Sequence, residues 1–350
     1  MSAEPSRSTP TAVLAVGGSA GSLTPLLALV RGLPPQFPAA VLVTVHLGDS
    51  QNSRLPEILS RRSRLPAAWA RDGEPLRPAR VYVAPPGFHL VAAADSVSLS
   101  RGPRVNRHRP SVDVLFASMA STIGPAGVAV VLSGALDDGA VGVALVAAAG
   151  GEVLVEDPDD AEFSGMPLAA LHAVTAATTS RADDIARAVD QAVARALDRA
   201  AKPTPSPTTA EEADTMAHHL AIDYLAQTES RLTRMSCPEC GGSLAQIDLD
   251  QISYFRCHIG HHYGPQTLAA AQADASEAKI WSAVAGLEEE AALQRYLYET
   301  VPHASPGTPH LQVAEQLAQR ADQLRELAHA WTPLVPDPER DATVLRTTAP

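Results

Sequence analysis

The sequence predicts an α/β fold: a doubly wound, mostly parallel sheet with helices on both faces, followed by a small zinc-ribbon-like module and C-terminal helices. Three observations predict it. Over about residues 11–199, apolar runs of strand length alternate with segments of helical spacing. Ala, Val and Leu are abundant whereas only 4% of the residues are aromatic, as is typical of buried parallel strands. Beyond a Pro- and Thr-rich stretch, all three cysteines fall in one short segment.

The N-terminal elements follow in chain order. The predicted strands are TAVLAVG, AAVLVTV, RVYVAP, AGVAVVLSG and EVLVED, and the predicted helices include SLTPLLALVRGL, SVDVLFASMASTI and GAVGVALVAAAG. Between Arg80 and Leu99 the short runs VYVAP, FHLV and SVSLS lie close together. This spacing predicts a small antiparallel excursion within the α/β domain.

Composition shifts divide the chain into six segments. The stretch AAKPTPSPTTAEEAD neither continues a helix nor buries much surface, so it marks the clearest domain boundary. The predicted segments are an α/β catalytic domain at 11–199, a linker at 200–214, a connecting helix at 215–235, a ribbon-like module at 236–264, a helical hairpin at 265–331 and a loose tail at 332–350. The amphipathic C-terminal helices are read either as a solvated hairpin or as a docking surface for a partner.

Charge and hydropathy narrow the class of protein. The formal net charge is −12 and no long basic tract occurs, which argues against nucleic acid as the main partner. No apolar run reaches the roughly 18 residues needed to span a bilayer. The polar start MSAEPSRSTPT lacks the regions of a signal peptide. We therefore expect a cytoplasmic protein without membrane insertion.

The stretch AVGGSAGSL joins the first predicted strand to the first helix. It does not match a phosphate-binding loop, because no Lys follows and Ser19 and Ser22 replace the second and third glycines of G-x-G-x-x-G. It does match G-x-S-x-G, a sharp turn that exposes a serine hydroxyl beside free helix amides. On its own the motif also fits a plain turn or a serine N-cap.

Two further strand ends carry polar side chains. His46 ends the run VLVTVH, and Asp137 and Asp138 follow VVLSGAL. Because the carboxyl ends of parallel strands meet at one edge of a sheet, these residues are expected near Ser19. Taken singly, His46 fits a core or capping residue and the aspartates fit helix caps. Together they predict a nucleophile with its base and orienting carboxylate.

The cysteine segment predicts a metal site. Cys237 and Cys240 form a C-x-x-C pair, and Cys257 follows about twenty residues later, ahead of a histidine cluster at 258, 261 and 262. Two ligand pairs at this spacing are typical of a zinc ribbon, in which four protein ligands leave a structural metal without an open position. The alternative is that the cysteines are reduced and metal-free.

These stretches resemble the catalytic domain of the bacterial chemotaxis methylesterases, the protein-glutamate methylesterase and protein-glutamine deamidase family. The resemblance covers about residues 11–195. It rests on VGGSAGS, VTVHL, VYVAPPGFHL, RPSVDVLFASMA, VVLSGALDDGAVG and AAAGGEVLVEDPDDAEFSGMP, in this order.

The resemblance implies a hydrolase that needs no catalytic cofactor and acts on a methylated chemoreceptor or related signalling protein. Ser19 would be the nucleophile, His46 the general base and acid, and Asp138, rather than its neighbour Asp137, the orienting carboxylate. Amides near Ser19 and Ala135 would form the oxyanion site. Similarity to a domain appended to some methylesterase-like proteins favours His261 as the fourth ligand of a structural zinc.

The sequence also departs from the family. Ser19 is followed by Ala20-Gly21-Ser22 in place of the usual T-G-G, and Ala135 replaces a methionine. Because Ser19 lies so close to Met1, we expect no N-terminal receiver domain. A non-catalytic signalling scaffold and an esterase with a non-chemoreceptor substrate are the alternative functions. His89, His108 and His172 show no spacing that pairs any of them with a ligand.

Overall fold

The computed structural model describes residues 12–46, 53–200, 230–249, 252–300 and 309–330. The chain forms two compact units, of which the first ends at Leu268 and the second begins at Ala269.

The first unit is built on a seven-stranded sheet whose order is β3-β4-β2-β1-β7-β8-β9. All its neighbouring strands are parallel. The strands are β1 Ala12–Gly18, β2 Ala39–Val45, β3 Ala67–Trp69, β4 Val81–Val83, β7 Gly127–Val131, β8 Glu152–Glu156 and β9 Thr178–Ser180. β1, β2 and β7 lie side by side at the centre, and the predicted site residues follow these three strands.

Helices cover both faces of the sheet, which confirms the predicted fold class. The helices are α1 Leu23–Gly32, α2 Leu55–Arg62, α3 Val112–Thr122, α4 Ala140–Ala148, α5 Gly165–Ala173 and α6 Ile185–Ala200. Alternate side chains of β1 point to opposite faces. Leu14 and Val16 pack in the cluster that includes α1 and α6, whereas Val13 and Ala15 pack in the cluster that includes α3 and α4.

The antiparallel excursion consists of β5 His89–Ala92 and β6 Val97–Ser100, which form a two-stranded sheet. The third run expected in it, VYVAP, instead supplies β4 to the parallel sheet. The short elements β3, β9 and α2 were not singled out from the sequence. β3 and β9 are three residues long, and β9 consists of TTS, so neither carries the apolar run that marks a buried strand.

The first unit also contains a four-stranded sheet with Cys257 at the end of one strand and Cys237 and Cys240 in the connection between its first two strands. Its order is β10-β11-β12-β13, and all its pairs are antiparallel. The strands are β10 Ser230–Ser236, β11 Ser243–Leu249, β12 Ile252–Cys257 and β13 His262–Tyr263. The predicted connecting helix 215–235 is wrong over residues 230–235, which belong to β10, and the rest of it lies outside the described residues. β10 is polar and mostly exposed, so its pairing with β11 left no apolar pattern in the sequence.

Two long helices complete the described chain. α7 Pro265–Thr300 starts in the first unit, and α8 is His310–His329. Within the second unit Trp281 meets His329 edge-on, Glu288 pairs with Arg325, and Gln294 bonds His310. The two helices therefore run antiparallel. No helix among the described residues is both long and apolar enough to cross a membrane. The predicted linker beyond residue 200 and the predicted tail at 332–350 lie outside the described residues.

Candidate active site and metal centre

Ser19 lies on the turn between β1 and α1, at the carboxyl edge of the sheet. The turn is tight because Gly21 adopts a φ of +76°, and a Cβ there would come within 2.5 Å of the Ser133 hydroxyl. Gly17 serves a different purpose: a Cβ at this position would collide with Val112 at the start of α3. The absence of a side chain at Gly17 therefore allows α3 to approach the serine turn closely.

His46 follows β2 and reaches both predicted partners. Its Nδ1 lies 3.1 Å from Ser19 Oγ and its Nε2 lies 2.8 Å from Asp138 Oδ2. An ionised carboxylate only accepts hydrogen bonds, so Nε2 carries the hydrogen and Nδ1 is left to accept from the serine hydroxyl. The structure thus brings together all three residues that the sequence predicted for this site.

Asp138 accepts hydrogen bonds from five groups. The donors are His46 Nε2, Asn106 Nδ2, Ser111 Oγ and the backbone amides of Val112 and Asp113. The last two amides belong to the first turn of α3. Asp138 therefore occupies the positive end of a helix, where its negative charge is stabilised. This arrangement fixes the carboxylate that orients the imidazole.

The surroundings of Asp138 and Asp113 shift the pKa values of these two carboxylates in opposite directions. Burial alone would raise the pKa of Asp138, but the hydrogen bond and charge of His46, together with His108 and Asn106, bring that pKa below its usual range. Burial and the charge of Asp138 raise the pKa of Asp113 well above its usual value. The negative charge is thus held on the carboxylate that contacts His46.

Asp137 takes no part in the contact with His46. Its Oδ2 accepts from the amide of Gln266 at 2.8 Å, and its Oδ1 accepts from the amide and hydroxyl of Thr267 at 3.2 and 2.5 Å. Asp137 is therefore the cap of α7, and its geometry agrees with the expectation that Asp138 is the orienting residue.

Backbone hydrogen bonds reduce the set of amides near Ser19 that could serve as oxyanion donors. The amide of Ser19 itself donates to Ser133 O at 2.9 Å, and that of Gly134 donates to Phe163 O at 3.0 Å. Among the described residues, the amides of Ala20 and Ala135 donate no backbone hydrogen bond. Gly134 is close enough that a Cβ there would lie 3.0 Å from Ser19 Cβ. The amides of Ala20 and Ala135 are therefore candidates for the oxyanion donors.

Sequence reasoning missed two residues of a tight turn at positions 105–108. Val105 and His108 exchange backbone hydrogen bonds, while Asn106 and Arg107 have φ values of 51° and 68°, as in a type I′ turn. Asn106 donates to Asp138, and the His108 ring stacks on His46 with centroids 3.6 Å apart and planes at 10°. The asparagine at a turn was the available signal, but nothing in the sequence indicated its contact with Asp138.

The structure also brings together Cys237, Cys240, Cys257 and His261, whose ligand atoms all lie within 4.8 Å of one another. Cys240 and Cys257 Sγ are 3.7 Å apart, and His261 Nδ1 lies 3.6 Å from Cys237 Sγ and 3.5 Å from Cys257 Sγ. A tetrahedral ion with Zn–S bonds of about 2.3 Å and Zn–N bonds of about 2.0 Å has edges of about 3.5–3.8 Å. The cluster fits a metal ion of this kind.

The residues around the cluster support the same assignment. His261 Nε2 faces Glu239 Oε2 at 3.4 Å, which leaves Nδ1 directed at the sulfur atoms. A carboxylate behind a ligating imidazole is the usual support of such a ligand. Among the competing histidines, His262 is 6% exposed and lies in β13 on Tyr254, outside the cluster.

The sequence is similar to those of known proteins. Residues 14–189 match the family model described as CheB methylesterase. A protein-glutamate methylesterase/protein-glutamine glutaminase of Anaeromyxobacter dehalogenans is 38% identical over 187 residues, covering 53% of this chain and 55% of the relative. A protein of the same name from Bradyrhizobium diazoefficiens, of its group 2 operon, is 42% identical over 168 residues, with 46% of this chain and 42% of the relative covered.

A solved structure is similar as well. The CheB methylesterase catalytic domain of Thermotoga maritima aligns with a TM-score of 0.50 at 30% identity and covers 52% of this chain and 98% of that domain. The chain spans about half the length of the curated relatives it matches. The similarity therefore covers the α/β domain that carries Ser19, His46 and Asp138.

Proposed function

The chain belongs to the CheB methylesterase family, and we propose that it is a serine hydrolase. It removes methyl esters from glutamate side chains of a methyl-accepting chemotaxis protein or a related signalling protein and releases methanol. The observation that carries this proposal is the continuous contact from Ser19 through His46 to Asp138.

The reaction is an acyl transfer. Ser19 Oγ attacks the ester carbonyl while His46 Nδ1 takes its proton, and Asp138 stabilises the imidazolium that forms. The amides of Ala20 and Ala135 are suited to the oxyanion of the tetrahedral intermediate. His46 then returns the proton to the leaving methoxide, and methanol departs. Water attacks the acyl-enzyme by the same route, which yields glutamate and regenerates Ser19.

The same site is suited to glutamine side chains. The side-chain amide of glutamine presents its carbonyl at the same position as the methyl ester of glutamate, and its leaving group is ammonia in place of methanol. His46 again supplies the proton to the leaving group. Deamidation is thus the second activity that we propose for this chain.

We further propose that Cys237, Cys240, Cys257 and His261 hold a structural Zn²⁺. Four protein ligands complete a tetrahedron, so the ion contributes cross-linking of the β10–β13 sheet rather than an open coordination position. The nucleophile and its base need no metal in the mechanism above.

Methanol release from methylated receptor membranes tests the proposed reaction. We expect release by the wild type and a loss of about 10⁴-fold or more in Ser19→Ala, because removing a triad nucleophile leaves only the contributions of binding and the oxyanion donors. The two proteins are first compared by circular dichroism and thermal unfolding, so that a folding defect is recognised.

Two outcomes would contradict parts of the proposal. Equal release by both proteins would exclude Ser19 as the nucleophile. Release by neither would exclude this methylated substrate, and a generic ester assay on the same pair then decides between an esterase with another substrate and a non-catalytic scaffold.

A further inference from the structure

The segment 262–267, which directly follows the metal-ligand candidate His261, contacts the loops that carry the active site. His262 O accepts from the backbone amide of Asn106 at 2.8 Å, and the amide of Gly264 donates to Asn106 Oδ1 at 2.8 Å. β13 also forms a parallel bridge to Val105. The backbone and the side-chain oxygen of Asn106 are thus both held by this segment, which we call the clamp.

Asn106 passes this restraint to the carboxylates of the site. Because its Oδ1 is held by Gly264, its Nδ2 is directed at Asp113 Oδ2 at 2.7 Å and at Asp138 Oδ1 at 2.9 Å. Asn106 is 1% exposed, so none of these bonds competes with bulk water. The amide group therefore has one orientation available, and that orientation supplies a donor to Asp138.

The clamp also holds the neighbouring turn. Gln266 and Thr267 bind the carboxylate of Asp137, which precedes Asp138 in the chain. Gly264 packs so closely that a Cβ at its position would lie 2.5 Å from Asp137 Cγ. Both aspartates of the turn from Ala135 to Gly139 are thus held in place. The clamp holds Asp137, and Asn106 and the first turn of α3 hold Asp138.

We propose that the clamp, residues 262–267, positions the Asp138 carboxylate for His46, so that the cysteine-bearing module is a working part of the esterase site. Asn106 and Asp137 are its two contact points, and both are positioning residues. The hydrogen bonds of the clamp reach Asn106 and Asp137, and it acts through the orientation of Asp138. This inference rests on the proposed activation of Ser19 by His46.

The size of the expected effect follows from geometry. Displacement of a catalytic group by about 1 Å costs on the order of 10²-fold in rate. Loosening the clamp leaves Ser19, His46 and Asp138 chemically intact but lets the Asp138 carboxylate move. We therefore expect a fall in kcat with little change in KM, since the clamp acts through the orientation of Asp138.

Gly264→Ala in the full chain is the first test, because its new methyl group displaces the Asp137 carboxylate. We expect at least about a tenfold fall in the rate at which a fluorophosphonate labels Ser19. We also expect loss of the hydrogen-bonded His46 Nε2–H signal in the proton NMR spectrum. Gly286→Ala is the matched control, since a Cβ there meets no atom within 4 Å among the described residues, and it should retain both properties.

Thr267 supplies a second test that does not depend on a steric clash. Thr267→Val removes the hydroxyl donor to Asp137 while keeping side-chain size, and Thr267→Ser restores the donor. We expect the rate of fluorophosphonate labelling to fall a few-fold in the valine variant and to recover in the serine variant. If Gly264→Ala fails to fold, this pair alone decides. Wild-type labelling and an unchanged His46 signal in a folded Gly264→Ala, or in Thr267→Val, would overturn the proposal.

The readouts separate this inference from the proposed function. Fluorophosphonate labelling and the His46 signal report the activated serine without any methylated substrate. If the wild type releases no methanol but its labelling depends on Gly264 and Thr267, the clamp stands and the assigned substrate is wrong. If methanol release is normal in Gly264→Ala, the substrate stands and the clamp is wrong.

Discussion

At the scale of single residues, the adjacent aspartates Asp137 and Asp138 have different structural roles. Asp137 and Asp138 are both almost fully buried, yet each caps a different helix. Leu136 and Gly139 flank the pair with φ values of 61° and 101°, and this backbone sends the two side chains in different directions. Only Asp138 reaches His46, so the two positions should respond differently to the same substitution.

Asp138→Asn should lower kcat by about 10⁴-fold, because a neutral amide neither favours the His46 tautomer with hydrogen on Nε2 nor stabilises the imidazolium. Asp137→Asn keeps one oxygen that can accept from Thr267 but places its amide nitrogen against the N–H of Gln266, and since the loss of one such hydrogen bond is modest, the fall in kcat should stay within about tenfold. Initial rates of ester hydrolysis at saturating substrate measure both. Similar losses in the two variants would contradict the assignment of Asp138.

The predictability of the site differs from residue to residue. Ser19, His46 and Asp138 could be predicted because each follows a buried strand, and adjacent parallel strands end at one edge. Asn106 and His108 could not, because their turn precedes α3 and belongs to no strand of the central sheet. Their contacts depend on the approach of α3 over Gly17 and on the clamp, and neither is encoded in local spacing.

At the scale of elements, the carboxyl ends of the strands hold one another as well as the site. Glu156 ends β8, is 2% exposed and accepts from the amide of Ser133 at 2.7 Å. Ser133 follows β7 and in turn bonds Ala20 O beside the nucleophile at 2.8 Å. A buried carboxylate thus supports the backbone that shapes the serine turn.

Glu156 should make the stability of the fold depend on pH. Burial raises its pKa from 4.5 to about 6, against the opposing hydrogen bond from Ser133. The folded state then binds more protons than the unfolded state between these values, so the contribution is fully present below pH 4.5 and is lost as pH rises through 6.

Glu156→Gln keeps an acceptor for Ser133 and removes this titration. Relative to the wild type, the variant should therefore gain up to about 2 kcal/mol of unfolding free energy between pH 4.5 and 7, since the pKa rises from 4.5 to about 6 and each pKa unit corresponds to about 1.4 kcal/mol. Urea unfolding at a series of pH values measures the difference. Parallel stability curves for the two proteins would contradict it.

Element boundaries show where sequence patterns carry little information. The central strands can be predicted from their aliphatic runs, whereas the sequence predicts the end of a helix over residues 230–235, which form β10. Of its residues, Leu232 is 78% exposed, so the strand buries no side-chain face that would leave a period of two. The strand is defined by its backbone pairing with β11 and by the hydrogen bonds that Arg231 and Thr233 donate to Gln246 Oε1 and Leu244 O.

At the scale of the whole molecule, the cysteine module has only a small apolar core of its own among its described residues. Its buried apolar side chains are few: Leu244, Ile247, Tyr254 and Tyr263. Small β modules of this kind depend on a metal or a disulfide for stability. None of the three cysteines forms a disulfide, so the proposed Zn²⁺ is the group that would hold β10 to β13 together.

Removal of the metal should therefore loosen the module and, through the clamp, the active site. Purified protein is expected to contain about one Zn²⁺ per chain. After chelation, protease cleavage within residues 230–264 should accelerate and the His46 Nε2–H signal should weaken, because His261 no longer anchors the clamp. Refilling with Zn²⁺ should restore both, which distinguishes metal loss from irreversible damage. Full retention of the His46 signal in a module made protease-sensitive by chelation would show that the metal stabilises the module without reaching Asp138.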